Sequence, residues 1–300
     1  MIGMQDIQAY LPELEENYQH LHQCPELGFE ETETSAYILK KLAEYGIKGK
    51  QAARTGIIAD IPGSAPSKTV AIRADMDALP IEELSGVSYA SRNEGKMHAC
   101  GHDMHAAVLF GVLQQLAAEP DFRGTLFGLF QPGEETFEGA RAAIADGLLQ
   151  NPRPQVAFAM HVNSQSPLGL VLYGSPALSG VYGFRITLQG KGGHGSSPEI
   201  CIDPITAGVH VHLALQELIS REVPAAKEVA LTVGKFAGGL AANVIPDTCV
   251  LEGTLRGFDV ELMEHLKTRI AEVVNGVAAT YRTPATIETL SDVPPLVLDS

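Results

Sequence analysis

Tryptophan is absent from this 300-residue chain, and cysteine occurs only at Cys24, Cys100, Cys201 and Cys249. Four cysteines so widely spread are too few for a disulfide framework, which makes a reduced, cytoplasmic protein the simplest expectation. No stretch approaches the ~20 consecutive apolar residues of a membrane span, so no membrane partner is expected. The opening MIGMQDIQAYLPELEENYQ is acidic and polar and lacks the basic start and apolar core of an export signal. Positive charge is scarce, with 21 Lys and Arg against 36 Asp and Glu and a net charge of −15. Such a surface repels phosphate backbones, so nucleic acid is not an expected partner. Repeats and low-complexity tracts are missing as well. Apolar residues make up 45% of the chain, enough for one large domain or two smaller ones with sizeable cores.

Periodicity and punctuation divide the chain into elements. Residues 6–22 and 31–45 read as amphipathic helices, separated at CPELGFEE by Pro25 and Gly28. TGIIADIPG and KTVAIRAD read as strands, the second ending at Asp75. MHAAVLFGVLQQLAAE reads as a strongly apolar helix stopped by Pro120. GTLFGLFQPGEE is a strand entering a loop, EGARAAIADGLL a helix, and PQVAFAMHV a buried strand. This alternation predicts an α/β layer with a largely parallel sheet. After residue 177 the order becomes β-α-β-β-α-β, the split βαβ arrangement of a compact satellite domain, expected to end near residue 289. Asp203 before Pro204 is the expected N-cap of its first helix.

Ligands of open α/β sheets bind beyond the carboxyl ends of the strands. Asp75 and Asp77 follow one strand end, Glu134 and Glu135 a second, and His161 closes a third. Cys100 and His102, in HACGHDMHAA, open the long apolar helix. Adjacent carboxylates disfavour joint ionisation unless a cation lies near. Most such pairs are simply solvated, and that is the expectation for Glu15-Glu16 and Glu30-Glu31. Glu134-Glu135 differs because a buried strand precedes it and Pro132-Gly133 forces a turn. Cys100 reads as a thiolate metal ligand in preference to a nucleophile, because the carboxylates and the distant His161 need a cation that a thiol enzyme would not. His105, one turn beyond His102, is a candidate to orient a ligand; His98 has no firm assignment. His20, His22, His210, His212 and His265 read as surface or packing residues. GKGGHGSSPE sets His194 among glycines that let backbone approach a ligand, and AANVIPD places Asn243 before a strand.

The segments RADMDALPI, MHACGHDMHAA, QPGEE, MHV, GKGGHGSSPE and NVIPD, in that order, resemble the dinuclear-metal amidohydrolases. That family includes bacterial hippurate hydrolases, N-acyl-amino-acid deacylases and plant auxin-conjugate hydrolases. The resemblance implies a mainly parallel, zinc-peptidase-like catalytic domain over 1–177 and an inserted ferredoxin-like α+β lid and dimerisation domain over 178–289. Residues 290–300 then begin the return to the catalytic domain. It implies Cys100, His102, Glu135 and His161 as ligands of two divalent ions (zinc, manganese, nickel or cobalt). Glu134 becomes the general base, and Asp77 the acid that orients a ligand. His194 and Asn243 belong to the lid, Asn243 facing substrate and His194 reaching the active site of the other subunit in a homodimer. The implied reaction is hydrolysis of the amide of an N-acyl amino acid or small peptide. One departure stands out: family members run on past the lid and supply one more His ligand, whereas no His follows His265 here. The expectation is a C-terminally truncated catalytic domain with an incomplete second metal site and an exposed sheet edge. The competing readings are an impaired member acting through metal binding or its lid interface, and a Cys-dependent hydrolase.

Overall fold

The computed structural model describes residues 8–150 and 152–298. Two residues of the first expected helix, 6 and 7, and residues 299 and 300 of the expected return segment lie outside the described residues. The chain divides into two compact units, the first ending at Leu168 and the second beginning at Gly169.

In the first unit, helices α1 (Leu11–Gln23) and α2 (Thr32–Glu44) precede strands β1 (Gly49–Ala52), β2 (Gly56–Pro62) and β3 (Ala65–Asp75). Then come α3 (His102–Ala118), β4 (Arg123–Gln131), α4 (Gly139–Ala145) and β5 (Val156–Ala159). The strands form one sheet in the order β1-β2-β4-β3-β5. β3 runs parallel to β4 and β5, while β2 is antiparallel to both β1 and β4. Only β2 opposes the rest, so the sheet is mixed but mainly parallel. The apolar character of α3 follows from its position: Leu109, Phe110 and Leu113 are at most 2% exposed and pack with Ile38, Leu42, Ile57 and Phe130. Each such side chain removed from water contributes ~1.5–3 kcal/mol.

Two expectations need correction in this unit. β5 was expected to be buried, yet its four residues are all exposed, with Phe158 at 60%. It lies at the end of the strand order and pairs on one side only, with β3, so its apolar side chains lack a covering layer among the described residues. Helix α3 begins at His102, ahead of the expected Met104, because Gly101 adopts a left-handed turn (φ 81°). A Cβ at that position would come within 2.5 Å of Val162 Cγ2, so glycine alone fits the turn.

The second unit contains β6 (Gly180–Gln189), β7 (Gly193–His194), α5 (Pro204–Glu222) and β8 (Val229–Gly238). It continues with β9 (Val244–Ile245), β10 (Thr248–Gly257), α6 (Val260–Thr280) and β11 (Ala285–Val293). The four long strands make an antiparallel sheet in the order β11-β6-β10-β8. This is the split βαβ topology that the element order predicts. Period two places Phe184, Ile186 and Leu188 on one face of β6, and helical spacing places Val211, Leu215 and Leu218 on α5 and Leu266, Ile270 and Val274 on α6 against it. Asp203 caps α5 as expected, its carboxylate accepting the Ile205 N–H at 2.9 Å. Among the described residues no helix is long and apolar enough to cross a membrane.

Candidate metal centre

The parallel strands β3, β4 and β5 share one carboxyl edge, and each delivers a polar residue just beyond it: Asp75 and Asp77, then Glu134 and Glu135, then His161. The first turn of α3 brings His102 and His105, and the loop before it Cys100. Side-chain donor atoms gather in three overlapping sets, Cys100–His102–His161, His102–Glu134–Glu135 and Asp75–His102–His105, each with its atoms within 4.8 Å of one another. His102 is common to all three and fully buried.

Hydrogen bonds set the direction of the imidazoles. Asp77 Oδ1 accepts the Nδ1–H of His102 at 3.2 Å, which turns Nε2 inward. There it lies near three carboxylate oxygens: Asp75 Oδ2 at 3.6 Å, Glu135 Oε1 at 3.8 Å and Glu134 Oε2 at 3.9 Å. His161 donates Nδ1–H to the Val162 carbonyl at 2.7 Å and turns Nε2 to Cys100 Sγ at 3.4 Å. His105 donates to Asp75 and accepts the Val162 N–H at 2.9 Å, steadying the backbone beside His161. Asp77 does a second task, its Oδ2 accepting the Glu135 N–H at 2.9 Å.

The electrostatics fit a bound cation. His102 Nε2 and Glu135 Oε1 are buried without a hydrogen-bond partner, an arrangement that costs free energy unless a positive charge lies between them. Burial, with the Glu135 charge next, pushes the Cys100 thiol up to about 12. A raised thiol pKa disfavours the nucleophilic thiolate in the metal-free site, whereas a dication would deprotonate the group outright. Burial and the neighbouring Glu135 charge raise the Glu134 pKa above its ordinary value, the direction that makes a carboxylate a better proton acceptor. Burial also opposes ionisation of Asp75, but the His105 hydrogen bond and the Arg73 charge outweigh it and bring the group down to about 2. The imidazole, thiolate and carboxylate set therefore fits borderline divalent metals.

Other residues fall elsewhere. His194 and Asn243 lie exposed in the second unit, joined by a two-residue ladder in which His194 pairs with Val244 and Gly195 N–H donates to the Asn243 carbonyl at 2.8 Å. His98 is buried, its pKa lowered to about 4 by that burial, and it joins none of the three donor sets. His22, read as a surface or packing residue, is buried with Nδ1 2.6 Å from Asp103, the neighbour of His102. Glu31, expected to be solvated, is fully buried; its oxygens accept the Gly133 N–H at 2.9 Å and the Thr55 hydroxyl at 2.5 Å. Sequence pattern carried no signal for either residue, because a charged side chain on a helix start or an amphipathic helix reads as exposed by default.

Comparison with known proteins agrees with this geometry. Residues 71–299 match the model of peptidase family M20/M25/M40. The chain is 42% identical over 283 residues to an N-acetyl-L-cysteine deacetylase of Bacillus subtilis, covering 93% of this chain and 68% of that protein. It is 39% identical over 278 residues to the IAA-amino acid hydrolase ILR1-like 4 of Arabidopsis thaliana, covering 92% of this chain and 62% of the relative. The chain thus spans about two thirds of the length of these curated relatives. The crystal structure of the Bacillus subtilis YXEP protein, described as a dinuclear metal binding peptidase, superposes with a TM-score of 0.82 at 32% identity, over 97% of this chain and 77% of that one. The mixed, mainly parallel sheet with a separate antiparallel sheet is shared with that structure. The chain belongs to peptidase family M20/M25/M40, and with it to the metal-dependent amidohydrolases and deacetylases.

Proposed function

We propose that this chain hydrolyses the amide bond of N-acyl amino acids, with Cys100, His102, Glu135 and His161 holding two divalent ions drawn from zinc, manganese, nickel and cobalt. The observation that carries the reading is the inward Nε2 of His102, buried without a hydrogen-bond partner and within 3.9 Å of three carboxylate oxygens. Divalent ions held there would supply Lewis acidity for the amide carbonyl. The protein's own part follows from position. Glu134, raised by burial and by Glu135, accepts the proton of the attacking water and returns it to the leaving amine. Asp77 holds the His102 ring and the Glu135 amide in register. His194 stabilises the oxyanion, and Asn243 contacts the substrate. In the same reading residues 1–177 form the catalytic part and 178–289 a lid that pairs two chains in a homodimer, in a cytoplasmic setting. The relatives' names point to acetylated amino acids and auxin-type conjugates as substrates to try first, with hippurate beside them.

The test is amine release from such substrates by protein loaded with each metal in turn. Glu134→Gln is nearly isosteric and removes the proton acceptor; it is expected to keep its metal and lose ~10²–10⁴ in kcat. Cys100→Ser and His161→Ala are expected to lower metal content by elemental analysis. Near-full activity in Glu134→Gln, or unchanged metal in both ligand variants, would sink the reading.

A further inference from the structure

The turn that carries Glu134 is packed tightly by the segments around it. Gly133 sits at φ 56°, and a Cβ there would meet the Phe29 ring at 3.0 Å. Gly28 approaches just as closely: a Cβ would lie 2.8 Å from Thr136 Cγ2, 3.0 Å from Gly133 Cα and 3.4 Å from Asp77 Oδ2. Loop 28–31 therefore lies directly against the turn. Four non-glycine residues with positive φ belong to the three segments that meet here: Phe29 (66°), Ala53 (50°), Arg54 (69°) and Phe137 (61°). Such backbone persists only where the surroundings over-determine it, and it gathers at functional sites.

At the junction of these segments sits Glu31. One carboxylate oxygen accepts the Gly133 N–H at 2.9 Å and the other the Thr55 hydroxyl at 2.5 Å. The Ser35 hydroxyl ties the main chain of the same two segments, bonding to both the Glu31 and Thr55 carbonyls. On the other side of the turn Asp77 Oδ2 accepts the Glu135 N–H at 2.9 Å. The amides immediately before and after Glu134 are thus each held by a buried carboxylate. A buried acid carries a desolvation cost that an apolar residue filling the same space would avoid, so its presence calls for a task beyond stability.

We propose that Glu31 is a positioning residue: as an acceptor for the Gly133 amide, paired with Asp77 on the Glu135 amide, it fixes the backbone that aims Glu134 and Glu135 into the metal centre. The inference rests on the function proposed above for those two glutamates. The acceptor matters and the charge does not, since a Gln side chain can still offer its oxygen to Gly133 while Thr55 rotates its hydroxyl to accept from the amide.

The experiment compares Glu31→Met, close in length but without an acceptor, with Glu31→Gln in the full chain. In Glu31→Met the affinity for Co²⁺, followed by calorimetric titration, and kcat are each expected to fall roughly 10–100-fold with KM little changed, the usual scale for a group that orients a ligand. Glu31→Gln should restore most of both. A folded Glu31→Met with wild-type Co²⁺ affinity and turnover overturns the proposal, as does equal damage in Met and Gln variants. Should Glu31→Met not fold, Thr55→Val removes one anchor and leaves Glu31 in place; a several-fold loss of affinity and kcat supports the proposal and unchanged values overturn it. If the wild type neither binds Co²⁺ nor releases amine, it is the proposed function that has failed. The positioning role is then read from Gly133 amide exchange, which Glu31→Met speeds and Glu31→Gln does not; equal exchange in all three proteins overturns it.

Discussion

At the scale of single residues, His22 shows how burial and one contact turn a helix histidine into a pH-dependent strut. Its hydrogen bond to Asp103 raises its pKa above the ordinary value, with burial opposing and Glu83 assisting. Folding therefore favours the protonated ring. The stabilisation is fully present below the unfolded value, near 6.5, and is lost as pH rises through the higher native value. Chelator-treated protein and its His22→Gln variant can be compared by urea unfolding near pH 6 and near pH 9. The wild-type advantage at the lower pH is expected at about 1.5–3 kcal/mol, the range for hydrogen bonds to charged groups, and to shrink at the higher pH. An advantage that stays constant or grows with pH would contradict the assignment. Asp103 is the last residue before Met104 in the first turn of α3, so the same strut braces the helix start that presents His102.

At the scale of elements, the second unit shows helices defined by their ends. α5 and α6 both begin at an aspartate in extended conformation, Asp203 and Asp259, whose carboxylates accept the Ile205 and Leu262 amides at 2.9 Å. Asp203 also accepts the Thr206 hydroxyl at 2.6 Å, and Pro204 presets the first helical dihedral. Asp203→Ala leaves the Ile205 amide and the Thr206 hydroxyl to water. It is expected to lower the unfolding free energy of this unit by ~0.5–2 kcal/mol in chemical denaturation, without altering metal uptake. α3 contrasts with both: it has no side-chain cap and begins after left-handed Gly101, and its first turn brings His102 and His105 into the centre while Asp103 meets His22.

At the scale of the whole molecule, the hydrophobic clusters separate along the chain. One is drawn wholly from residues after 180, around Phe184, Leu251 and Ile270, and the others wholly from residues before 150, around Phe110, Phe130 and Phe127. Leu251 is fully buried on the central strand β10, so Leu251→Ala is expected to cost ~2–5 kcal/mol in the second unit. Scanning calorimetry should resolve two transitions. Leu251→Ala is expected to lower one, and added Co²⁺ to raise the other by binding only the folded first unit. A single transition moved by both would show that the units unfold as one.

The sequence by itself determined the element order, the split βαβ pattern of the second unit and the placement of Asp75, Asp77, Cys100, His102, Glu134, Glu135 and His161 near strand and helix ends. These follow from periodicities of 2 and 3.6 and from breakers such as Pro120 and Pro132-Gly133, all local properties of the chain. Only the tertiary structure decided which carboxylates lose their water. Glu30 and Glu31 are indistinguishable neighbours in sequence, yet Glu30 is exposed and Glu31 fully buried, because Gly28 and left-handed Phe29 turn one of them under the Gly133 loop. The exposure of β5 is equally non-local: an apolar run reads as buried, but burial depends on what packs against it, and β5 has a strand on one side only.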